Sequence, residues 1–193
     1  MSLAERLRVA LASAEIDAIS GDMIDYAGPL TSAAVLVAVT DRTEPGVLLT
    51  LRHAGLRRHA GQVAFPGGRV DPEDDGPVSA ALREAREEIG LDPAVVELVG
   101  TADRYRTGTG YDVLPVVGVV PPDMPLVAQE TEVAAVFEVP LAFLLDSANH
   151  ALKSAVFQGR TRDYYEILWG EWRIWGVTAG MIVNLSRRLK AFA

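Results

Sequence analysis

Residues 67–91, GGRVDPEDDGPVSAALREAREEIGL, join a glycine pair, an acidic loop and a helix that carries three glutamates on one side. Pro77 suits the first turn of a helix, where its missing N–H is not needed, and Val78, Ala81, Leu82, Ala85 and Ile89 form an apolar stripe at helical spacing. Gly90 ends the run. At about 100° per residue, Glu84, Glu87 and Glu88 fall within a strip roughly 100° wide, so like charges crowd together. Three converging carboxylates, completed by backbone carbonyls and water, match the all-oxygen preference of Mg2+ or Mn2+, and such a cation removes the repulsion. The stretch therefore reads as a divalent-metal site for cleaving a phosphoanhydride. Taken alone, REAREE also serves as a solvated helix face on which Arg83 and Arg86 pair with the glutamates.

Context favours the metal site. The stretch resembles the Nudix box, G-x5-E-x7-R-E-U-x-E-E-x-G-U with U aliphatic, and from Arg83 onward Glu84, Ala85, Glu87, Glu88, Gly90 and Leu91 all stand in register. The first half departs from it. The run from Gly68 to Arg83 is one residue too long, which puts the upstream acid on Asp75, or on Asp74 if the extra residue follows it. Immediately before it, LLTLRHAGLRRHAGQVAFPGG (residues 48–68) is similar to the signature of the coenzyme A pyrophosphatase branch, L-L-T-x-R-[SA]-x3-R-x3-G-x3-F-P-G-G. Leu48, Leu49, Thr50, Arg52, Arg57, Gly61, Phe65, Pro66, Gly67 and Gly68 match it, while His53 takes a place usually held by Ser or Ala. Apart from any resemblance, Arg52, Arg57, Arg58 and Arg69 lie between Leu51 and Val70 with no acid among them. Such a cationic strip can hold phosphates through guanidinium forks, or it is an ordinary solvated arginine loop.

The resemblance implies an α/β fold, a Nudix-type α/β/α sandwich with a mixed β-sheet, and metal-dependent hydrolysis of the diphosphate of coenzyme A to 3′,5′-ADP and 4′-phosphopantetheine. ADP-ribose or a dinucleotide is the alternative substrate, and a non-catalytic ligand-binding module the alternative class. Mg2+ or Mn2+ would be held by Glu84, Glu87, Glu88 and the Gly68 carbonyl. Arg83 would fix a glutamate by ion pairing at i+4, and Arg52, Arg57, Gly67 and Gly68 would line the substrate. Glu132, in the acidic loop before the sequence VPL, is the candidate for a further ligand or base, with Glu130 its rival.

The remaining sequence sets bounds. At 193 residues with 49% hydrophobic content, residues 1–193 read as a single domain with an N-terminal and a C-terminal helix. A net charge of −8 argues against a general nucleic-acid surface, though not against a polyanionic small substrate. The absence of cysteine excludes disulfides, thiolate zinc sites and cysteine nucleophiles. AAVLVAV (residues 33–39) is far short of the ~20 residues of a membrane span, and cytoplasmic is the default location. The partner expected is a small nucleoside diphosphate; a homodimer is left open. Helices are expected over residues 2–14 and 178–192, with a short one at LAFLLD. Strands are expected over 33–39, 47–52, 95–99, 113–120, 134–139, 164–169 and 172–175. Trp169, Trp172 and Trp175 are read as strand packing, and the turn YRTGTGY (residues 105–111) as a border of the substrate.

Overall fold

A computed structural model describes residues 1–12, 18–22, 26, 28–56, 59–157 and 159–189. Arg57 and Arg58 lie outside the described residues, as do the last residues of both predicted terminal helices. Apolar alternation in TSAAVLVAVT makes β1 (Thr31–Thr40) a strand buried on both faces. It is followed by β2 (Gly46–Arg52), the short β3 (Val63–Ala64) and β4 (Gly67–Arg69), and α2 (Pro77–Ile89), with α1 (Leu3–Ala12) preceding them. Then come β5 (Glu97–Thr101), β6 (Tyr105–Arg106), β7 (Tyr111–Val120), β8 (Val133–Pro140) and α3 (Leu141–Leu145). The chain continues through β9 (Ala151–Phe157), β10 (Arg160–Trp169), β11 (Trp172–Trp175) and α4 (Val177–Arg188).

Among the described residues, β1 to β8 form an eight-stranded mixed sheet in which β1 and β7 are parallel and the other pairs antiparallel. The two-residue period of β1 separates two cores. Ala33, Val37 and Val39 face one core with Leu7 of α1, Leu144 of α3 and Ile182 of α4. Ala34, Leu36 and Ala38 face the other with Ala80, Ala81, Ala85 and Ile89 of α2. Helices thus cover both faces, as the expected α/β/α sandwich requires. The strands expected over 164–169 and 172–175 form a hairpin, and β9, which was not anticipated, joins them in a second, antiparallel sheet, β11-β10-β9, that closes the α4 side through Ile167 and Ile174.

Two other expectations shift. The strand predicted over 95–99 starts at Glu97, because Asp92 accepts a hydrogen bond from the Ala94 N–H at 3.0 Å and caps a 3-10 turn over Pro93–Val95. The hairpin arm predicted to begin at Tyr164 extends back to Arg160, where it pairs with β9. The tryptophans do pack within the fold: Trp172 stacks on Phe137 at 4.1 Å and Trp169 meets Phe143 at 4.6 Å.

The register of β1 and β2 prepares the site. They pair at Val39 and Val47, but toward the other end of β1 its neighbour is β4, while β2 is joined by β3. Residues 63–69 thus fill the wedge between the two splayed strands, held there by the Leu36 N–H donating to the Pro66 carbonyl at 2.8 Å. Gly67 has φ 157°, and a Cβ there would strike the backbone of β1, so only glycine fits this close passage.

Candidate active site

Helix α2 aims at this wedge. It has Pro77 in its first turn and ends at Gly90 in the left-handed region (φ 68°), whose N–H closes onto the helix carbonyls. Ala80, Ala81 and Ala85 are fully buried against the sheet, and Glu84 and Glu88 share that inward stripe at the end nearest Gly67 and Gly68. The Glu84 carboxylate lies directly against the Gly68 backbone, occupying the space a Cβ would need. One oxygen of Glu88 accepts a hydrogen bond from the Gly67 N–H at 3.1 Å. Its other oxygen faces the Arg52 guanidinium at 3.5 Å, with the carboxylate only 5% exposed.

Glu87 behaves differently. Its side chain is 60% exposed and is turned outward to Arg83 at 3.2 Å. The three glutamates share a strip but not a point. Among the described residues, no three carboxylate or imidazole side chains already stand close enough to close around an ion.

Arg83 ties the site together. Its guanidinium forks onto Asp74, with both bonds at 3.0 Å, and reaches Glu84 at 3.0 Å, Glu87 at 3.2 Å and the Arg69 carbonyl at 3.0 Å. The two upstream acids differ in placement: Asp74 turns inward onto Arg83, while Asp75 is exposed. Arg83, and next the Asp71 N–H, hold the Asp74 carboxyl below its ordinary value.

Glu132 arrives from a distant loop. The Val127 and Gln129 N–H groups donate to the Ile89 and Glu88 carbonyls at 3.0 and 2.8 Å, docking residues 127–132 on the last turn of α2. The His53 N–H donates to the Glu132 carbonyl at 2.8 Å, which fixes the loop against the end of β2. The charge of Glu132 is felt by both inward glutamates, whereas that of Glu130 is not resolved at either. Burial pushes Glu88 up to about 7, against the Gly67 N–H and Arg52, with Glu84 and Glu132 adding to the rise. Burial likewise raises Glu84, opposed by Arg83 and reinforced by Glu87 and Glu132.

Sequence reasoning missed the partnership of Arg52 with Glu88, although strand parity could have found it. Leu48 faces the α2 core, so Thr50 and Arg52 follow on the same side. In the YRTGTGY turn, Tyr105 is buried in the core on the α1 and α4 side, and Tyr111 accepts from Arg69 at 2.8 Å.

Comparison with known proteins agrees with this geometry. A family model described as the NUDIX domain matches residues 30–157. The uncharacterized Nudix hydrolase NudL of Escherichia coli (strain K12) is 45% identical over 157 residues, spanning 81% of this chain and 82% of that protein. Two solved structures share the fold. The Nudix hydrolase RenU from M. smegmatis superposes with a TM-score of 0.51 at 23% identity, over 60% of this chain and 73% of that one. A MutT/nudix family protein from Enterococcus faecalis gives 0.51 at 16% identity, over 97% of this chain and 73% of that one. A wedge of sheet, a glutamate-bearing helix and a domain-length match together mean that the chain belongs to the Nudix hydrolase family.

Proposed function

We propose that this Nudix hydrolase cleaves the diphosphate of coenzyme A or its acyl derivatives, releasing 3′,5′-ADP and 4′-phosphopantetheine or its acylated form. The observation that carries the hydrolytic part is the pair of inward carboxylates, Glu84 and Glu88, set against the Gly67–Gly68 backbone. The choice of coenzyme A is supported by the match of residues 48–68 to that branch of the family.

Nudix hydrolases act on pyrophosphate bonds and generally need a divalent metal such as Mg2+ or Mn2+. The donor set here fits such a cation. It is all oxygen, it carries excess negative charge, and burial pushes Glu88 up, a shift that a neighbouring cation would oppose. Glu84, Glu88 and the Gly68 carbonyl would hold it, and Glu87 would join them by turning in from its contact with Arg83. When bound, the metal supplies charge neutralisation at the diphosphate and a lowered pKa for water.

The chain's own groups do the rest. Water attacks one phosphorus of the diphosphate, the bond from that phosphorus to the bridging oxygen breaks, and the other phosphate departs. A carboxylate of the Glu84, Glu88 and Glu132 group takes the proton from the water. Arg83 keeps Glu84 and Glu87 in place from its fork on Asp74. Arg57 and neighbouring cations bind phosphates outside the diphosphate. We read residues 1–193 as one domain working in the cytoplasm; among the described residues no helix is long and apolar enough to cross a membrane.

Release of 3′,5′-ADP from coenzyme A, measured beside dephospho-coenzyme A and ADP-ribose with and without Mg2+, tests the reading. Coenzyme A should be the best substrate, and only with metal. Arg57→Ala should lower kcat/KM on coenzyme A at least ~10-fold more than on dephospho-coenzyme A, as expected for one lost charge-assisted contact to the 3′-phosphate. A wild-type preference for ADP-ribose refutes the substrate while leaving the family assignment intact.

A further inference from the structure

Arg52 belongs to the segment matched to the coenzyme A signature, which implies a place beside the substrate, yet the structure turns it inward. Leu48, Thr50 and Arg52 alternate onto the face of the sheet that α2 covers, so Arg52 enters the α2 side at the very end of β2. A bulge lies at the same point: Leu51 pairs with Ala135, but Arg52 pairs with Val133, leaving Ala134 as the extra residue. Bulges of this kind re-aim side chains. The Arg52 backbone is fixed by the turn at residues 61–62, its N–H donating to the Gln62 carbonyl at 3.0 Å and its carbonyl accepting from Gly61 at 3.1 Å. The guanidinium Nη1 stands 3.5 Å from Glu88 Oε1, and Nε is buried with no hydrogen-bond partner among the described residues.

We infer that Arg52 is a positioning residue which holds the Glu88 carboxylate in the site, and that it does not contact the substrate. The inference rests on Glu88 belonging to the hydrolytic machinery. Each oxygen of Glu88 is addressed by a different strand: Gly67 of β4 donates a hydrogen bond to one, and Arg52 of β2 presents its charge to the other. With both restraints, the carboxylate cannot rotate without separating from one of them. With Nη1 turned to Glu88 and Nε buried, each two-nitrogen edge of the guanidinium has one nitrogen already facing inward, which leaves it poorly placed as a phosphate fork. Arg52 therefore acts on the reaction through Glu88 and through the two strands that meet at the wedge.

The test is a double-substitution cycle on the full chain, with Arg52→Met, Arg52→Lys, Glu88→Gln and Arg52→Met/Glu88→Gln. Turnover is followed on coenzyme A, or on ADP-ribose if that is the diphosphate cleaved. Arg52→Met should lower kcat by about 10- to 100-fold, the usual effect of removing a group that orients a metal-site ligand, with KM changed less than ~3-fold. Arg52→Lys should recover most of that loss. In the Glu88→Gln background the same Arg52→Met change should lower kcat less than ~3-fold. Melting temperatures in EDTA supply a second cycle: Arg52→Met should lower the melting temperature of the wild type but not of Glu88→Gln.

A rise in KM of equal size in both backgrounds means that Arg52 meets the substrate and overturns the inference. Equal losses of kcat and melting temperature in both backgrounds mean a role independent of Glu88 and also overturn it. A Glu88→Gln variant with wild-type turnover would remove the catalytic reading itself, and this one with it.

Discussion

Replacing Glu88 by Gln should make the metal-free protein more stable at high pH while destroying its activity. Glu88 is 4% exposed, and its carboxyl is raised from 4.5 to about 7, chiefly by burial. A carboxyl raised in the folded state contributes stability that is complete below its unfolded value and is lost as pH rises through its folded value. The wild type should therefore weaken between about pH 4.5 and 7 on this account. The Gln variant keeps an acceptor for the Gly67 N–H but has no proton to lose. The interval from 4.5 to about 7, at 1.36 kcal/mol per pH unit, corresponds to roughly 3 kcal/mol. That is an upper figure, since Arg52 loses its anionic partner in the variant. For a chain of this size it amounts to roughly 6–12 °C in melting temperature. Melting curves of both proteins in EDTA from about pH 4 to about pH 8.5 should lie nearest at the acid end and separate with the variant higher, and Mg2+ should raise the wild type far more. Curves that stay parallel across the range, or a variant that melts lower at pH 8.5, would refute the account of Glu88 as a buried charge held for function.

Gly68→Ala should lower kcat by about 10- to 100-fold with native circular dichroism, because the added methyl meets the Glu84 carboxylate and the flexible side chain, not the backbone, must yield. Asp74→Asn should lower both the melting temperature and kcat by removing the fork on Arg83, while Asp75→Asn changes melting by less than about 1 °C; equal effects would contradict the assignment of Asp74. Glu132→Gln should reduce kcat by at least ~10²-fold, and Glu130→Gln should leave it within ~2-fold when both are measured at saturating Mg2+ and substrate.

Helix α2 was legible from end to end, because its limits are set locally: proline at the first turn, glycine in the left-handed region after the last, alanines and Ile89 at helical spacing between. The two long strands of the central pair were legible for the same reason, since alternation and apolar runs are local signals. What lay hidden depends on distant partners. Asp74 and Asp75 are chemically alike, and only the turn that brings one of them back onto Arg83 separates them. Glu132 is joined to the helix by backbone hydrogen bonds from Val127 and Gln129, which no side-chain pattern records. Strand β9 was missed because Lys153 and Ser154 interrupt its apolar residues and Ala151 to Val156 are exposed, so pairing with β10, not burial, makes it a strand.

The alanine face of α2 has a consequence for side-chain length. With Ala80, Ala81 and Ala85 fully buried in one cluster with Ala34 and Ala38, methyl groups meet at the closest approach of helix and sheet. Nothing smaller than alanine except glycine could bring the helix nearer, so the backbone cannot sink to make up for a shorter acid. The reach of Glu84 and Glu88 to the glycine turn is then a fixed span, and aspartate at either place, one methylene short, would leave its carboxylate stranded between helix and turn. The same closeness forbids the opposite adjustment: a valine at Ala81 would lift the whole helix and withdraw both carboxylates together.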